Sequence, residues 1–252
     1  MSYVYIKLHR LVSDVNIKRT GPRARRFHVS FGMGAFTHIS PSLLLEGSAV
    51  IVAALSAMIT AAKKEMDFVG VYALALVTSF GGGTIRDLLL DRRPFFWVER
   101  WEYLVIVLAL CVPFVYSRWL YHWATTFVAR AHIIDALGLG FFTISGTELA
   151  AKAGMPAIIC ALLGVVTGTG GGVIRDLIII EIPALFKHGR LHAMAAVAGA
   201  ALYLLLRELG VAEVVCVSLS VTLIVVLRLT ALWGGAALPR PHWLDTGKWR
   251  VP

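Results

Sequence analysis

The stretch Gly81-Gly82-Gly83-Thr84-Ile85-Arg86-Asp87-Leu88 returns 89 positions later as Gly170-Gly171-Gly172-Val173-Ile174-Arg175-Asp176-Leu177. The same ungapped offset pairs Thr78 with Thr167, three residues before each glycine triplet. Chance matches would not keep one register in this way, so the repeat indicates an internal duplication. In each copy, three glycines followed by an arginine and an aspartate interrupt a long apolar run.

The composition is that of a membrane protein. Of the 252 residues, 58% are hydrophobic and only 15% are charged, and the mean hydropathy is +0.76. Soluble domains carry about a quarter charged residues. The three cysteines lie in apolar runs, without the number or setting of a disulfide framework or a zinc site. With no G-x-S-x-G, H-E-x-x-H or similar pattern present, we expect no enzyme activity, no metal and no cofactor.

Seven apolar runs suggest transmembrane helices, since about 20 apolar residues cross a bilayer. They cover residues 43–62, 68–90, 103–117, 133–151, 155–180, 191–206 and 211–229. Three spans per copy force the second copy to enter the membrane from the opposite side, as in inverted-repeat transporters. The predicted fold is therefore an all-α integral membrane protein with two inverted three-helix repeats plus one helix. The predicted domains are repeat 1 (43–131), repeat 2 (132–209) and the seventh helix (210–230).

The two ends of the chain differ from this apolar body. Residues 1–42 form a basic extension, predicted to be disordered or to precede a true start at Met33, and 231–252 form a polar tail. Omitting the extension, an outside start places ten Lys and Arg on the inner side and five on the outer. This distribution predicts a cytoplasmic C-terminus. The net charge of +9 lies in short connections and at the ends, so we expect a lipid bilayer partner and no nucleic acid.

The glycine triplets are the first candidate site. Glycine costs a helix about 1 kcal/mol relative to alanine, so each triplet is predicted to unwind or bend its span and to present backbone groups to a solute. Close packing of helices is the alternative interpretation. The predicted pore or substrate-binding residues are Thr78, Gly81, Gly82, Gly83, Thr167, Gly170, Gly171 and Gly172.

The second candidate site consists of charged residues within the apolar spans. Arg86, Asp87, Arg175 and Asp176 are costly there unless they are paired. Glu46 and Asp135 are themselves 89 residues apart and precede the two arginines by equal distances. We therefore predict two ion pairs, Glu46 with Arg86 and Asp135 with Arg175, one near each membrane face. These clusters either serve the transport path or only brace the helices. Glu148, in the fourth span, is either a gate or a packing residue.

Together these motifs resemble the bacterial branch of the trimeric intracellular cation (TRIC) channels, also described as glycine-transporter-domain membrane proteins. The resemblance covers about residues 45–235 and rests on Ala61-Ala62-Lys63-Lys64, the two Gly-Gly-Gly-x-Ile-Arg-Asp segments, Pro94-Phe95-Phe96-Trp97-Val98 and Asp135-Ala136-Leu137-Gly138. It implies a homotrimer in the inner (plasma) membrane, with a pore through each subunit lined by glycine-bent second and fifth helices. The chain departs from the family pattern at Glu46, Ala49 and Ala57.

Three functions remain open at this point. The first is a channel for monovalent cations, chiefly potassium, in which carbonyls replace part of the hydration shell. The second is a carrier for a small zwitterionic amino acid such as glycine, held by amides exposed at a broken helix. The third is a membrane assembly protein that transports nothing. The ionisable residues and glycines within the spans count against the third function.

Overall fold

A computed structural model describes residues 41–126, 128–186 and 192–234. The predictions for the extension 1–42 and the tail 231–252 lie outside these residues, apart from 41–42 and 231–234. Within the described ranges the regular structure is helical, with no strand. The helices are α1 (Pro41–Lys63), α2 (Phe68–Leu89), α3 (Phe96–Glu99), α4 (Glu102–Tyr116), α5 (Arg118–Thr126), α6 (Val128–Lys152), α7 (Ala157–Ile178), α8 (His192–Glu208) and α9 (Glu213–Gly234).

Five of these helices, α1, α2, α6, α7 and α9, are long and apolar enough to cross a membrane. Helix α4 has 15 residues and α8 has 17, so the count of seven spans stays a prediction. The short helices α3 and α5 fall in connections where the sequence predicts no element. The all-helical membrane class is confirmed.

Four helices form the centre of the protein. Helices α1 and α2 pack together, as do α6 and α7, and the two pairs meet where α2 contacts α7 and α1 contacts α6. Helix α4 packs on α1 and α2, α8 packs on α6 and α7, and α9 packs on α6 and α8. The core side of α1 is rich in alanine, including the buried Ala49, Ala53, Ala54, Ala57 and Ala61. Small residues of this kind let membrane helices approach closely.

The duplication is visible in the backbone at two helix ends. Glu65 and Gly154, 89 positions apart, both have positive φ, 54° and 75°. Asp91 and Ile180, also 89 apart, have φ of 49° and 58°. A left-handed residue after the last turn is a common way to end a helix. Residues at equivalent positions therefore end α1 and α6, and α2 and α7, in the same conformation.

Candidate functional site

The two glycine triplets lie where α2 and α7 cross. A Cβ atom at Gly82 would lie closer than 3.0 Å to the carbonyl oxygen of Thr167, and one at Gly171 equally close to that of Thr78. The later residue of α2, Gly82, meets the earlier residue of α7, Thr167, and the earlier residue of α2, Thr78, meets the later residue of α7, Gly171. The two helices are therefore antiparallel. Since the obstructing atoms are backbone, only glycine fits at these two positions.

Both helices remain α-helical throughout their triplets. The prediction that the glycines unwind α2 and α7 is therefore wrong for this conformation, whereas the alternative form of that prediction, a bend, stays a prediction. The backbone of the facing helix occupies the space that side chains would otherwise fill. This close packing stabilises both helices as continuous helices at the crossing. The glycines act here through close approach.

The remaining triplet residues have different surroundings. Gly81 and Gly170 face Ile174 and Ile85 of the opposite helix, whereas Gly83 lies under the ring of Phe96. For Gly172, an added Cβ would meet only the Arg175 guanidinium, at 3.9 Å. Thr78 and Thr167 are buried, and their hydroxyls donate to the carbonyls of Leu74 and Leu163 at 2.7 and 2.6 Å. Each hydroxyl oxygen thus keeps acceptor lone pairs.

One turn beyond the crossing on α2, Arg86 is the centre of a buried polar cluster. Its Nη2 lies 3.0 Å from Glu46 Oε1, its Nε donates to Asp87 Oδ1 at 2.9 Å, and its Nη1 donates to Ser145 Oγ at 3.3 Å. Arg86 is only 1% exposed. Asp87 Oδ2 in turn accepts from the Phe96 backbone N–H at 2.8 Å. The predicted pair Glu46–Arg86 is present.

Arg175 on α7 makes the equivalent contacts. Its Nη1 lies 3.3 Å from Asp135 Oδ1, its Nε donates to Asp176 Oδ1 at 2.9 Å, and Nη1 also donates to Ser56 Oγ at 2.9 Å. Asp176 Oδ2 accepts from the Ala184 N–H at 2.9 Å. The second predicted ion pair, Asp135–Arg175, is therefore also present.

Each arginine takes its carboxylates from its own half of the chain and its serine from the other half. Ser145 lies on α6 and Ser56 on α1, and the two serines are 89 positions apart. Sequence reasoning did not identify them as site residues, although their spacing carried the signal. Arg86 and Arg175 therefore link the two halves reciprocally, on opposite sides of the crossing. Each is four residues past a crossing glycine, so they lie roughly 12 Å apart along the helix axis.

Each cluster also has a second, longer ion pair. Arg92 Nη1 lies 3.9 Å from Asp87 Oδ1, and Arg228 Nη2, on α9, lies 3.6 Å from Asp135 Oδ2. Arg92 Nη2 also lies 3.0 Å from Glu99 Oε2. The Arg86 cluster therefore joins two arginines and three carboxylates, and the Arg175 cluster joins two arginines and two carboxylates. Neither cluster carries a net positive formal charge.

A cavity adjoins each cluster. The Arg175 cavity, of about 40 Å³, reaches the crossing, with Ser56, Thr78, Asp135, Gly171, Arg175 and His192 among its lining residues. The Arg86 cavity, of about 160 Å³, is lined by Glu46, Arg86, Arg92, Ser145, Glu148 and Lys152 among others. None of its lining residues belongs to a glycine triplet. The Arg86 cavity therefore does not reach the crossing.

This arrangement defines a class of protein: a helical membrane protein with two cavities, each lined in part by a buried arginine and a carboxylate that it contacts. The glycine transporter family model matches the chain twice, over residues 43–119 and 132–208. The second match begins and ends 89 positions after the first. The chain belongs to this family, which is the bacterial TRIC family, as its motifs predict.

Relatives and solved structures agree with this assignment. A "UPF0126 membrane protein" of Vibrio cholerae is 31% identical over 204 residues, covering 78% of this chain and 81% of the relative. The "UPF0126 inner membrane protein YadS" of Escherichia coli (strain K12) is 38% identical over 157 residues, covering 61% and 72%. The TRIC trimeric intracellular cation channel orthologue from Rhodobacter sphaeroides has a TM-score of 0.69 and 31% identity, covering 77% of this chain and 98% of that one.

Proposed function

We propose that this protein is a channel for monovalent cations, chiefly potassium, with a pore through each subunit of a homotrimer in the inner membrane. The observation that carries the proposal is the pair of cavities, one lined by Arg86 and the other by Arg175 and the α2/α7 crossing. In this proposal the two cavities are the two ends of one path, which is closed at the crossing. The similarity to solved TRIC cation channels supports the same conclusion.

The charges along this path are compatible with cations. A lone arginine in a narrow path would repel them, but Arg86 and Arg175 each contact two carboxylates at 3.3 Å or less. A cation approaching either cluster therefore meets no net positive charge. Both guanidinium groups are fixed by hydrogen bonds to three side chains each, so they define the walls of the path without filling the cavities.

The proposed closed layer is the crossing itself. The carbonyl oxygens of Thr78 and Thr167 are packed against Gly171 and Gly82, which leaves no room for an ion between α2 and α7. Separation of the helices at this point would turn these carbonyls and the two threonine hydroxyls toward the path. Oxygen ligands of this kind replace the hydration shell of a cation.

For the membrane arrangement, we propose seven spans as two inverted three-helix repeats plus α9, with a cytoplasmic C-terminus. The antiparallel crossing of α2 and α7 supports the inversion, because these helices hold equivalent positions in the two halves. The reciprocal serine contacts support it too, since a two-fold relation between the repeats would generate one from the other.

A carrier for glycine is the second candidate, favoured by one observation. The Arg175 cavity is lined by both a guanidinium and carboxylates, which are the groups that recognise the two ends of a zwitterion. The description of the family model, glycine transporter, names the same solute class.

The deciding experiment is flux into liposomes that hold the purified protein, with potassium current and labelled glycine uptake measured on one preparation. The channel predicts discrete potassium currents that glycine does not change and that Gly171→Leu reduces, while Gly172→Ala, where the added Cβ meets no close neighbour, retains them. Saturable glycine uptake without such currents would replace the channel with the carrier. Folded, trimeric protein that passes neither solute would support the assembly role.

A further inference from the structure

One buried carboxylate in the Arg86 cavity has no equivalent in the other half of the chain. Glu148 on α6 lines this cavity beside Ser145, and its side chain is only 4% exposed. The residue 89 positions earlier is Ile59, which is also buried. The duplicated framework therefore accepts an apolar side chain at this position. A buried carboxylate is costly in a membrane protein and marks a functional position by default.

The partner of Glu148 is an ammonium that it shares with a second carboxylate. Lys152, one turn later on α6, forms an ion pair with Glu148 Oε1, and its Nζ also lies 3.2 Å from Glu213 Oε1 at the start of α9. The side chains of Lys152 and Glu213 are 49% and 41% exposed. The ammonium thus lies between a buried carboxylate on the cavity side and an exposed one at the surface.

Lys152 and Arg86 are held in different ways. Arg86 is buried and its planar donors are bound to Glu46, Asp87 and Ser145, so its release would leave several groups unpaired. Lys152 carries a compact charge on a flexible four-carbon stem. About half of its side chain is exposed to solvent. Lys152 already contacts Glu213, so it keeps one carboxylate when it leaves Glu148. The carboxylate that it vacates is buried, so Glu148 then needs another cation.

We propose that Glu148 forms a binding site for a monovalent cation in the Arg86 cavity, and that Lys152 is a tethered cation that competes for it. This inference rests on the proposed channel function. When Lys152 turns to Glu213, Glu148 becomes available to an entering ion. A tethered group competes at a high effective concentration, so Lys152 sets the ion concentration at which the site fills.

The test compares the potassium concentration that gives half-maximal single-channel current in four proteins: wild type, Lys152→Gln, Glu148→Gln and the double variant. If Lys152 occupies Glu148 nine-tenths of the time, its removal lowers this concentration about tenfold, because the competent fraction rises from about one tenth to one. Glu148→Gln raises the concentration, and Lys152→Gln has no further effect in that background. Glutamine keeps the shape of Glu148, and size-exclusion chromatography verifies that each variant is folded.

Lys63, at the end of α1, is equivalent to Lys152 and serves as a matched control. One turn before Lys63 lies Ile59, where the other half of the chain has Glu148. Lys63→Gln removes the same charge without a buried carboxylate beneath it, so it leaves the half-maximal concentration unchanged. An equal shift in Lys63→Gln and Lys152→Gln would overturn the proposal in favour of surface charge. An unchanged Lys152→Gln, or a shift that persists without Glu148, would also overturn it.

A second readout separates this proposal from the channel function. A bound ion raises the thermal unfolding temperature of the detergent-solubilised protein, and this stabilisation begins when the ion concentration approaches the dissociation constant of the site. Potassium should stabilise Lys152→Gln at lower concentrations than wild type and should not stabilise Glu148→Gln beyond the general effect of salt. If wild type passes no current but potassium stabilises the variants in this order, the cation site is supported and the channel function is refuted. If wild type conducts but the variants do not differ in their stabilisation by potassium, the channel function is supported and the cation site is refuted.

Discussion

The most direct test of the helix crossing is to add one methyl group on each side of a single peptide bond. Gly171→Ala places a Cβ closer than 3.0 Å to the carbonyl oxygen of Thr78, whereas Gly172→Ala places one 3.9 Å from the end of the flexible Arg175 side chain. The two variants have the same composition and lie in the same helix. Only the distance to the facing backbone differs.

The magnitude follows from two opposing terms. Alanine in place of glycine stabilises a helix by about 1 kcal/mol, and Gly172→Ala should gain this amount. At Gly171, the added Cβ falls more than 1 Å short of the 3.4 Å at which ordinary contact with the Thr78 carbonyl oxygen begins, so α2 and α7 must separate by about that amount. Overpacking typically costs about 1–3 kcal/mol, and a backbone carbonyl cannot turn away. With a cost of about 3 kcal/mol, Gly171→Ala loses about 2 kcal/mol net, and the two variants differ by about 3 kcal/mol.

The assay is reversible unfolding of the purified protein in mixed micelles, followed by helix content at increasing denaturant. A difference of about 3 kcal/mol is more than about 100-fold in the unfolding equilibrium. Gly82→Ala, which faces Thr167 across the same crossing, should match Gly171→Ala. If Gly171→Ala proves as stable as Gly172→Ala, the close approach of α2 and α7 is not what these glycines provide, and the interpretation of the crossing as a closed layer is refuted.

The polar clusters yield two further predictions, both measured by the same unfolding assay. Ser56→Ala should lower the free energy of unfolding by about 2 kcal/mol, because hydrogen bonds to charged groups contribute about 1.5–3 kcal/mol and Ser56 lies 2.9 Å from its arginine. Ser145→Ala should lower it by about 1 kcal/mol or less, because its distance is 3.3 Å. The reverse order would contradict the geometry. Arg86→Gln should cost about 3–5 kcal/mol because it leaves Glu46 and the buried Asp87 without their partner, whereas Glu46→Gln should cost less because Arg86 keeps Asp87. Additive losses in the Arg86→Gln, Glu46→Gln double variant would show that the pair does not interact.

Much of the candidate site followed from one sequence offset. Because Glu46 and Asp135 stand in the same relation to Arg86 and Arg175, their pairing required only that each half fold alike. Ser56 and Ser145 are related by the same offset, but the sequence does not predict their hydrogen bonds, because each serine accepts from the arginine of the other half. An offset identifies equivalent residues; it does not identify which equivalent residues meet.

The glycine triplets show the same limit from another direction. Three consecutive glycines weaken an isolated helix, which is why unwinding was expected. In the structure the facing backbone occupies the space that the missing side chains leave, and this contact depends on a helix 89 residues away. Local propensity is outweighed wherever tertiary packing uses the same feature for close approach.

The sequence by itself determined the membrane class, the duplication, the apolar spans and the two ion pairs, because each depends on composition or on spacing within one half of the chain. Only the tertiary structure decided that α2 and α7 cross at continuous helical glycine segments. It also decided that Ser56 and Ser145 each accept a hydrogen bond from the arginine of the other half, and that Glu148 shares the Lys152 ammonium with Glu213. These features join elements far apart in the chain. The physical reason is that such contacts are fixed by how the two halves face each other, and that orientation is set by the packing of whole helices.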